Sequence, residues 1–234
     1  MSDDLDSLNR DVIACRLCPR LVAWREAVAA TRRAAYADQT YWGKPVPGFG
    51  DPAAWLLIVG LAPGAHGSNR TGRMFTGDRS GEWLYRSLHR AGLANQPEVT
   101  AIGDGLALSG AYITAAVRCA PPGNKPLPDE WANCRPFLER ELALLANVRV
   151  IVALGGYAYT RVLQVLRDKG MRPAGESGMM AFGHGAEVKV GEPGVGELVV
   201  LASYHPSQQN TFTGKLTLAM LDAIWGRAIA LGTE

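Results

Sequence analysis

Residues 55–64 read WLLIVGLAPG, an apolar run that passes directly into a glycine-rich segment. The run at residues 55–59, bounded by turn residues, is typical of a buried β-strand. Similar runs lie at residues 111–117, 148–154 and 198–203, and segments with helical periodicity separate them. Because strands that alternate with helices indicate parallel βαβ units, the sequence predicts an α/β fold. We expect a three-layer α/β/α sandwich around a central, mostly parallel four-stranded sheet.

Four segments carry apolar residues at the spacing of one helix face, and we expect helices there. They lie at residues 81–91, 128–146, 157–168 and 216–229. Residues 170–196 are rich in glycine, which predicts a loop or a hairpin. No internal repeat divides the chain, so we expect residues 1–234 to form a single domain.

The composition is that of an ordinary globular protein, with 47% hydrophobic and 20% charged residues. The formal net charge of +2 is too small to indicate nucleic-acid binding by itself. No apolar run is long enough to span a bilayer, and the acidic, polar start of the chain is unlike a secretory signal. We therefore expect a cytoplasmic protein without membrane contact, in a reducing compartment where structural disulfides are rare.

The predicted sheet also indicates where a functional site should lie. In open parallel sheets, ligands bind beyond the carboxyl ends of the strands. Three loops leave such ends here, at residues 61–78, 118–126 and 204–214. We expect any functional residues to lie in these three loops.

The chain contains four cysteines, arranged as a pair and two single residues. Cys15 and Cys18 form a CxxC pair near the start, while Cys119 and Cys134 flank a proline-rich turn. Four thiolates complete a tetrahedral metal set, but zinc and an iron–sulfur cluster suit them equally well and the spacing does not decide. Buried thiols without a metal, or a redox-active CxxC pair, are the alternatives.

The segment at residues 60–73 is the most unusual of the three loops. Its glycines let backbone N–H groups approach a ligand closely, although the lysine and hydroxyl of a P-loop are missing. Arg70 and Arg73 are candidates for phosphate contacts, and Phe75 places an aromatic face near the carboxylate of Asp78. The alternatives are an ordinary connecting loop with solvated arginines, and for Asp78 the N-cap of the helix that follows.

His205 directly follows the last predicted strand and precedes a proline that fixes the turn. It therefore belongs to the same rim as the loop at residues 60–73. A structural role is the alternative for an isolated histidine. Polar residues that can contact a ligand follow it: Gln208, Gln209 and Asn210.

Taken in order, these motifs resemble the uracil-DNA glycosylase superfamily, and most closely its iron–sulfur branch of bacteria and archaea, called family 5 or type B. The resemblance runs from Cys15 to the terminal helix, nearly the whole chain. It depends on the order and placement of the motifs after successive strands. The motifs are CxxC at 15–18, GLAPG at 60–64, RTGR at 70–73, FTGD at 75–78, CAPPGNKP at 119–126, Cys134, and HPS at 205–207.

The resemblance implies an activity and a cofactor. The activity is hydrolysis of the N-glycosidic bond of uracil, hydroxymethyluracil, hypoxanthine and ethenocytosine in double- or single-stranded DNA, which initiates base excision repair. The cofactor is a [4Fe-4S] cluster on Cys15, Cys18, Cys119 and Cys134. It also implies a monomer that associates with the nucleoid. Leu61 stands where related branches carry an acid or amide, and Ala115 replaces the asparagine with which family 4 reads uracil, so we expect looser base discrimination.

The resemblance also assigns roles to single residues. Asp78 and His205 are the catalytic residues: Asp78 positions the attacking water, and His205 donates to the base oxygen that gains charge. The residues expected to hold the flipped base are Phe75 by stacking, Gly60, Leu61, Ala62 and Gly64 through the backbone, and Asn124 by a hydrogen bond. The residues expected to contact DNA outside the base are Arg70, Arg73, Lys125, Gln208, Gln209 and Asn210.

Two rival hypotheses remain open from the residues alone. One is a non-catalytic nucleic-acid-binding protein on a zinc-bound scaffold, which would bind DNA without releasing a base. The other is a redox or iron–sulfur carrier in which Cys15 and Cys18 cycle between oxidised and reduced states. This hypothesis leaves the loop at residues 60–73 and His205 unexplained.

Overall fold

A computed structural model describes residues 3–173, 181–192 and 196–233 of the chain. Within these residues seven strands form one sheet. The strands are β1 (Phe49–Gly50), β2 (Leu56–Gly60), β3 (Ala111–Ala115), β4 (Val150–Leu154), β5 (Arg172–Pro173), β6 (Glu187–Glu192) and β7 (Gly196–Ser203). Their order across the sheet is β1-β3-β2-β4-β7-β6-β5.

Helices cover both faces of this sheet and produce the predicted three layers. The helices in the described residues are α1 (Leu5–Ala14), α2 (Pro19–Thr31), α3 (Ser68–Thr71), α4 (Arg79–Arg90), α5 (Pro128–Leu144), α6 (Gly156–Asp168), α7 (Gln208–Phe212) and α8 (Leu218–Thr233). Helices α4 and α8 pack on one face, and α5 and α6 pack on the other. None of these helices is long and apolar enough to cross a bilayer.

The predicted parallel core is confirmed, but the predicted number of strands is wrong. Strands β3, β2, β4 and β7 are mutually parallel and correspond to the four predicted strands. The sheet has seven strands, because β1 joins one edge and β6 and β5 extend the other, all antiparallel. Strands β1 and β5 have only two residues each, too few for a periodic signal.

The glycine-rich stretch at residues 170–196 contains part of this extension. Its β6 pairs antiparallel with β7, from Glu187 opposite Leu201 onward, which is the geometry of a hairpin. Residues 174–180 and 193–195 of the stretch lie outside the described residues. The N-terminal helices α1 and α2, which the sequence analysis did not predict, precede the sheet.

The central strands are buried on both faces, which explains their continuous apolar sequences. Every residue of β2 is buried. Leu56 and Ile58 point to the face covered by α4 and α8, whereas Leu57 and Val59 point to the face covered by α6. The alternation along one strand therefore fills both apolar layers.

The connections in this sheet create a crevice at one edge. From β2 the chain moves to β3 on one side, and from β3 it crosses to β4 on the other side of β2. From β4 it continues away to β7, so the connections that leave β2 and β4 run in opposite directions. Ligands bind at such a switch point in open α/β sheets. The loop that begins at Gly60 and the segment that follows β7 both lie at this edge.

Candidate active site

A cavity of about 280 Å³ lies at the carboxyl ends of the central strands. Its wall includes Leu61 after β2, Gly155 after β4 and His205 after β7. The cavity therefore occupies the switch-point crevice. Two of the three predicted loops contribute to it directly.

Phe75 and His205 meet beside this cavity. Their ring centroids are 5.8 Å apart and the ring planes are inclined by 34°. A Cβ atom on Gly60 would lie 2.8 Å from Cζ of Phe75, so only glycine at the end of β2 lets this ring approach. The structure thus brings together Gly60, Phe75 and His205, which are far apart in the sequence.

The backbone of Phe75 has φ +53°, which is strained for an aromatic residue. Neighbouring groups hold this turn on both sides. Tyr85 donates a hydrogen bond of 2.8 Å from its hydroxyl to the carbonyl of Met74. A Cβ on Gly81 would lie 1.7 Å from the carbonyl oxygen of Phe75, so the first turn of α4 presses directly against it. Sequence reasoning missed Tyr85 and Gly81, because their roles depend on this tertiary contact.

His205 is enclosed by protein except where it faces the crevice. Burial lowers the pKa of its imidazole to about 4, so the ring is neutral at physiological pH. Its ring nitrogens have no hydrogen-bond partner among the described residues, and they are free to bind a ligand. Asn210 fixes the backbone at this point, because its Nδ2 donates to the His205 carbonyl at 2.9 Å.

Asp78 is the N-cap of α4, as the alternative interpretation of this residue required. Its Oδ1 accepts a hydrogen bond of 3.2 Å from the backbone N–H of Gly81. The other oxygen, Oδ2, lies against the glycine-rich loop, where a Cβ on Gly67 would come within 2.1 Å of it. Burial raises the pKa of this carboxyl. Because the two oxygens face different groups, capping the helix does not prevent Asp78 from taking part in chemistry.

The loop that follows β2 is pinned to the neighbouring strand. The carbonyls of Gly60 and Leu61 accept hydrogen bonds of 3.0 Å from the backbone N–H groups of Ala116 and Val117. Leu61 then lines the cavity, whereas Ala62 packs against the cysteines. The loop therefore contacts the crevice on one side and the cysteine site on the other.

Arg70 uses its guanidinium for bonds within the protein. It donates to the carbonyls of His66 and Gly77, both at 2.8 Å, and to the side chain of Gln39 at 2.5 Å. It also stacks on Tyr36, with Cζ 3.9 Å from the ring centroid. Arg70 thus stabilises the loop at residues 60–78.

Arg73 also uses its guanidinium for hydrogen bonds within the protein. It is 7% exposed and donates to both carboxylate oxygens of Asp104, at 2.9 and 2.7 Å. Its Nε donates to Thr76 at 3.0 Å, next to Phe75. The structure therefore places Arg73 beneath the turn that presents Phe75 and away from solvent.

The other predicted base and DNA contacts lie on the turn after β3 and at the start of α7. Asn124 and Lys125 are exposed on the proline-rich turn after β3, where Asn124 adopts φ +57°. They do not line the cavity. Gln208 and Gln209 are exposed at the start of α7, and Asn210 lines the cavity.

Two cations near α7 were not found from the sequence. Arg79 lies over Phe212, with Cζ 4.7 Å from the ring centroid, and Lys215 lies over Tyr204, with Nζ 4.8 Å from the centroid. Lys215 also lines the cavity. Neither residue forms an ion pair with another described residue, so both charges are available beside the crevice. No local motif marks them, because packing alone places them there.

The four cysteines line one common space, although they come from four different segments. Cys15 ends α1, Cys18 precedes α2, Cys119 follows β3, and Cys134 lies within α5. None of the four forms a disulfide bond. Burial raises the pKa of Cys119 to about 11 and that of Cys134 to about 12.

The four cysteines are a donor set that fits an iron–sulfur cluster. Among the described residues, no group of three or more His, Cys, Asp or Glu side chains is placed to bind a metal ion. A tetrahedral zinc site, with bonds of about 2.3 Å, requires sulfurs only about 3.8 Å apart. A cubane cluster separates its thiolates more widely, because each one binds a different iron atom. Four cysteines without a histidine or carboxylate are the usual donors for such a cluster.

The fold and the crevice define a class of protein: an α/β protein with a cavity at the switch point of its parallel sheet. Residues 47–228 match the model of the uracil DNA glycosylase superfamily. The chain belongs to this superfamily, and within it to the type-5 uracil-DNA glycosylases.

The similarity to type-5 proteins extends over nearly the whole chain. A type-5 uracil-DNA glycosylase of Mycobacterium leprae is 53% identical over 222 residues, which cover 94% of this chain and 93% of the relative. The Thermus thermophilus protein of that name is 54% identical, with 93% of each chain covered. That of Pyrobaculum aerophilum is 45% identical, with 96% and 92% covered.

Proposed function

We propose that this protein hydrolyses the N-glycosidic bond of uracil in DNA and so initiates base excision repair. The observation that carries the proposal is the pairing of Phe75 with a neutral His205 beside a cavity of about 280 Å³. An aromatic face and a neutral hydrogen-bond donor are the groups that a flipped base requires. The type-5 uracil-DNA glycosylases that resemble the chain support the same activity.

Cleavage passes through a transition state with a cationic sugar and an anionic departing base. Phe75 stacks on the flipped base, and backbone N–H groups of Gly60, Leu61, Ala62 and Gly64 bind its carbonyls. His205 donates a hydrogen bond to the base oxygen that gains charge, as an oxyanion donor does. Because its pKa is about 4, the imidazole donates as a neutral group and is not consumed as an acid.

Asp78 is the acidic residue proposed to act on the water. Its Oδ2 faces the glycine-rich loop, while Oδ1 remains bound to the start of α4. The carboxylate positions or activates the attacking water, and its charge favours the cationic sugar. The helix fixes the direction of the carboxyl, so the same hydrogen bond that caps α4 orients the catalytic oxygen.

The site is proposed to accept several bases. Leu61 and Ala115 offer no polar side chain to read the edge of uracil, so recognition rests on backbone groups. Asn124, on the exposed turn after β3, is the side chain proposed to hydrogen-bond the base once DNA is bound. A backbone N–H can donate to any carbonyl oxygen within reach, so bases that carry a carbonyl can share these donors. We therefore extend the proposed substrates to hydroxymethyluracil, hypoxanthine and ethenocytosine.

The DNA strand is proposed to follow the edge that carries α7. Lys125, Arg79 and Lys215 supply the phosphate contacts, and Gln208, Gln209 and Asn210 contact the gap that the flipped base leaves. Arg70 and Arg73 act indirectly, because their guanidinium groups hold the loop that presents Phe75. We propose a monomer that acts on single- and double-stranded DNA in the cytoplasm, at the nucleoid.

A [4Fe-4S] cluster is proposed on Cys15, Cys18, Cys119 and Cys134. When bound, it supplies a covalent cross-link between four chain segments and takes no part in the hydrolysis. Ala62 packs against these cysteines, and the residue before it, Leu61, lines the cavity. The cross-link therefore stabilises the loop that borders the cavity.

An abasic-site assay on defined duplexes tests the proposed function. Duplexes that carry a single uracil, hypoxanthine or ethenocytosine are incubated with the protein, and the strand is then cleaved with alkali at abasic sites. We expect cleavage at each modified position and none in a duplex without one. Binding of the uracil duplex without base release would contradict the proposal.

A further inference from the structure

Two buried arginines border the four cysteines, and only one has a carboxylate partner. Arg118 is 1% exposed and forms an ion pair with Glu141, which is fully buried. Arg25 is 2% exposed and forms no ion pair with a described residue. A guanidinium stays protonated in proteins, so Arg25 places a positive charge in the interior without a carboxylate beside it.

The hydrogen bonds of Arg25 lead to the cysteine site. Its Nη1 donates to Sγ of Cys119 at 2.8 Å, and its Nη2 donates to the carbonyl of Cys15 at 3.2 Å. Its Nε is buried without a partner. The adjacent Glu26 directs both carboxylate oxygens to Arg16, at 2.5 and 3.2 Å. Among the described residues, a cysteine sulfur is thus the only side-chain acceptor of Arg25.

A buried charge without a counter-charge is strongly unfavourable, whereas a pair of opposite charges with good hydrogen bonds is tolerated. A neutral thiol gives Arg25 no counter-charge. Four thiolates bound to an iron–sulfur cluster carry net negative charge and do provide one. A bound cluster therefore explains why a positively charged Arg25 is buried beside the cysteines.

We propose that Arg25 is the charge-compensating and positioning residue of the four-cysteine site, where its guanidinium orients Cys119 and balances the negative charge of the bound cluster. This inference rests on the cluster assigned under the proposed function. It concerns retention and potential of the cluster and adds no step to base excision.

The backbone of Arg25 extends this role to the glycine-rich loop. Its carbonyl accepts a hydrogen bond of 3.3 Å from Nδ2 of Asn69, which is fully buried. The backbone N–H of Asn69 donates to the carbonyl of Gly64 at 3.0 Å. Arg25 thus connects the cysteine site with the loop that contacts the base.

Three variants of the purified, iron-loaded protein test the inference. Arg25→Gln removes the charge and keeps a hydrogen-bond donor, and Arg25→Lys keeps the charge. Arg10→Gln is the control, because it removes one positive charge from an exposed residue of α1 that does not line the space between the cysteines. The measurements are iron content, the rate at which visible absorbance is lost to a chelator, and the reduction potential of the cluster.

We expect Arg25→Gln to lose its cluster faster by a factor on the order of ten, the usual effect of removing a group that supports metal ligands. Its reduction potential should become more negative, because a nearby positive charge stabilises the reduced, more negative cluster. Arg25→Lys should lie closer to the wild type on both measurements. Arg10→Gln should match the wild type.

Two results would overturn the inference. One is an Arg25→Gln protein with the wild-type loss rate and potential, and the other is an Arg25→Lys protein that is impaired as strongly as Arg25→Gln. If Arg25→Gln does not fold, Arg25→Lys decides: wild-type retention of iron supports the inference and rapid loss refutes it. A wild-type protein without iron would refute the cluster assignment itself, which is a separate outcome.

Discussion

At the scale of single residues, Asp78 caps α4 and is also the residue proposed to act on the attacking water. Asn is as good an N-cap as Asp, so Asp78→Asn should preserve the hydrogen bond from Gly81 while it removes the charge. We expect single-turnover excision of uracil to fall by roughly 10²–10⁴-fold, as for the loss of a general base. Melting temperature and DNA affinity should change little. Excision at the wild-type rate would show that Asp78 serves only as a helix cap.

The pH dependence of excision reports on His205. Its pKa is about 4, well below the ordinary value of 6.5, so the neutral imidazole persists from pH 8 down to about pH 5. The single-turnover rate should therefore show no inflection near pH 6.5. It should decline in more acidic solution, where His205 and Asp78, whose pKa is raised by burial, take up protons. An inflection at pH 6.5 that His205→Asn abolishes would show an ordinary, solvated histidine.

The same imidazole also links stability to pH. Between pH 6.5 and about 4, the unfolded chain binds a proton at His205 that the folded protein does not bind. The free energy of unfolding therefore decreases as the pH falls through this range. Above pH 6.5 the residue is neutral in both states and contributes no pH dependence.

At the scale of elements, one carboxylate holds the segment at residues 95–108 in place. Asp104 binds Arg73 through both oxygens and also accepts backbone hydrogen bonds from Thr100 and Leu106. Asp104→Ala leaves the largely buried Arg73 unpaired, which should lower the free energy of unfolding by about 3 kcal/mol. Thermal melts should show the loss. Excision should fall with it, because Arg73 supports the turn at Phe75.

Glu98→Ala is the control for this variant. Glu98 lies in the same segment and pairs with Arg86 at 3.8 Å, but both side chains are exposed. Such surface pairs contribute about 0–1 kcal/mol, so the melting temperature should hardly change. Equal effects of the two substitutions would show that the Asp104–Arg73 pair does not anchor the segment.

At the scale of the whole molecule, the strands and loops that hold the site were predictable, and many of its supports were not. Buried parallel strands give continuous apolar sequences, and the cysteines, the glycine-rich loop and His205 stand in recognisable motifs. Arg25 and Cys119 are 94 residues apart, and their contact has no local signal. The arginines of the loop show the same limit: the sequence marks Arg70 and Arg73 as cations but not as internally bonded ones.

The distribution of charge predicts the salt dependence of DNA binding. Each phosphate contact contributes about 0.9 to the slope of log Kobs against log salt concentration on duplex DNA. Arg79→Ala and Lys215→Ala should each reduce the magnitude of the slope by nearly that amount, because both cations lie unpaired beside the crevice. Arg149→Ala should not, since this exposed arginine precedes β4 at the opposite edge of the sheet. An unchanged slope in Arg79→Ala and Lys215→Ala would show that the DNA does not contact these two residues.

The central claim is that base excision takes place where Phe75 and His205 meet. It is tested most directly by the single-turnover release of free base from duplexes that carry one uracil or one hypoxanthine, with the wild type and His205→Ala compared side by side. We expect the wild type to release both bases, and the variant to lose roughly 10²–10³-fold on both, as for the removal of an oxyanion donor. Wild-type rates in His205→Ala on both bases would contradict it.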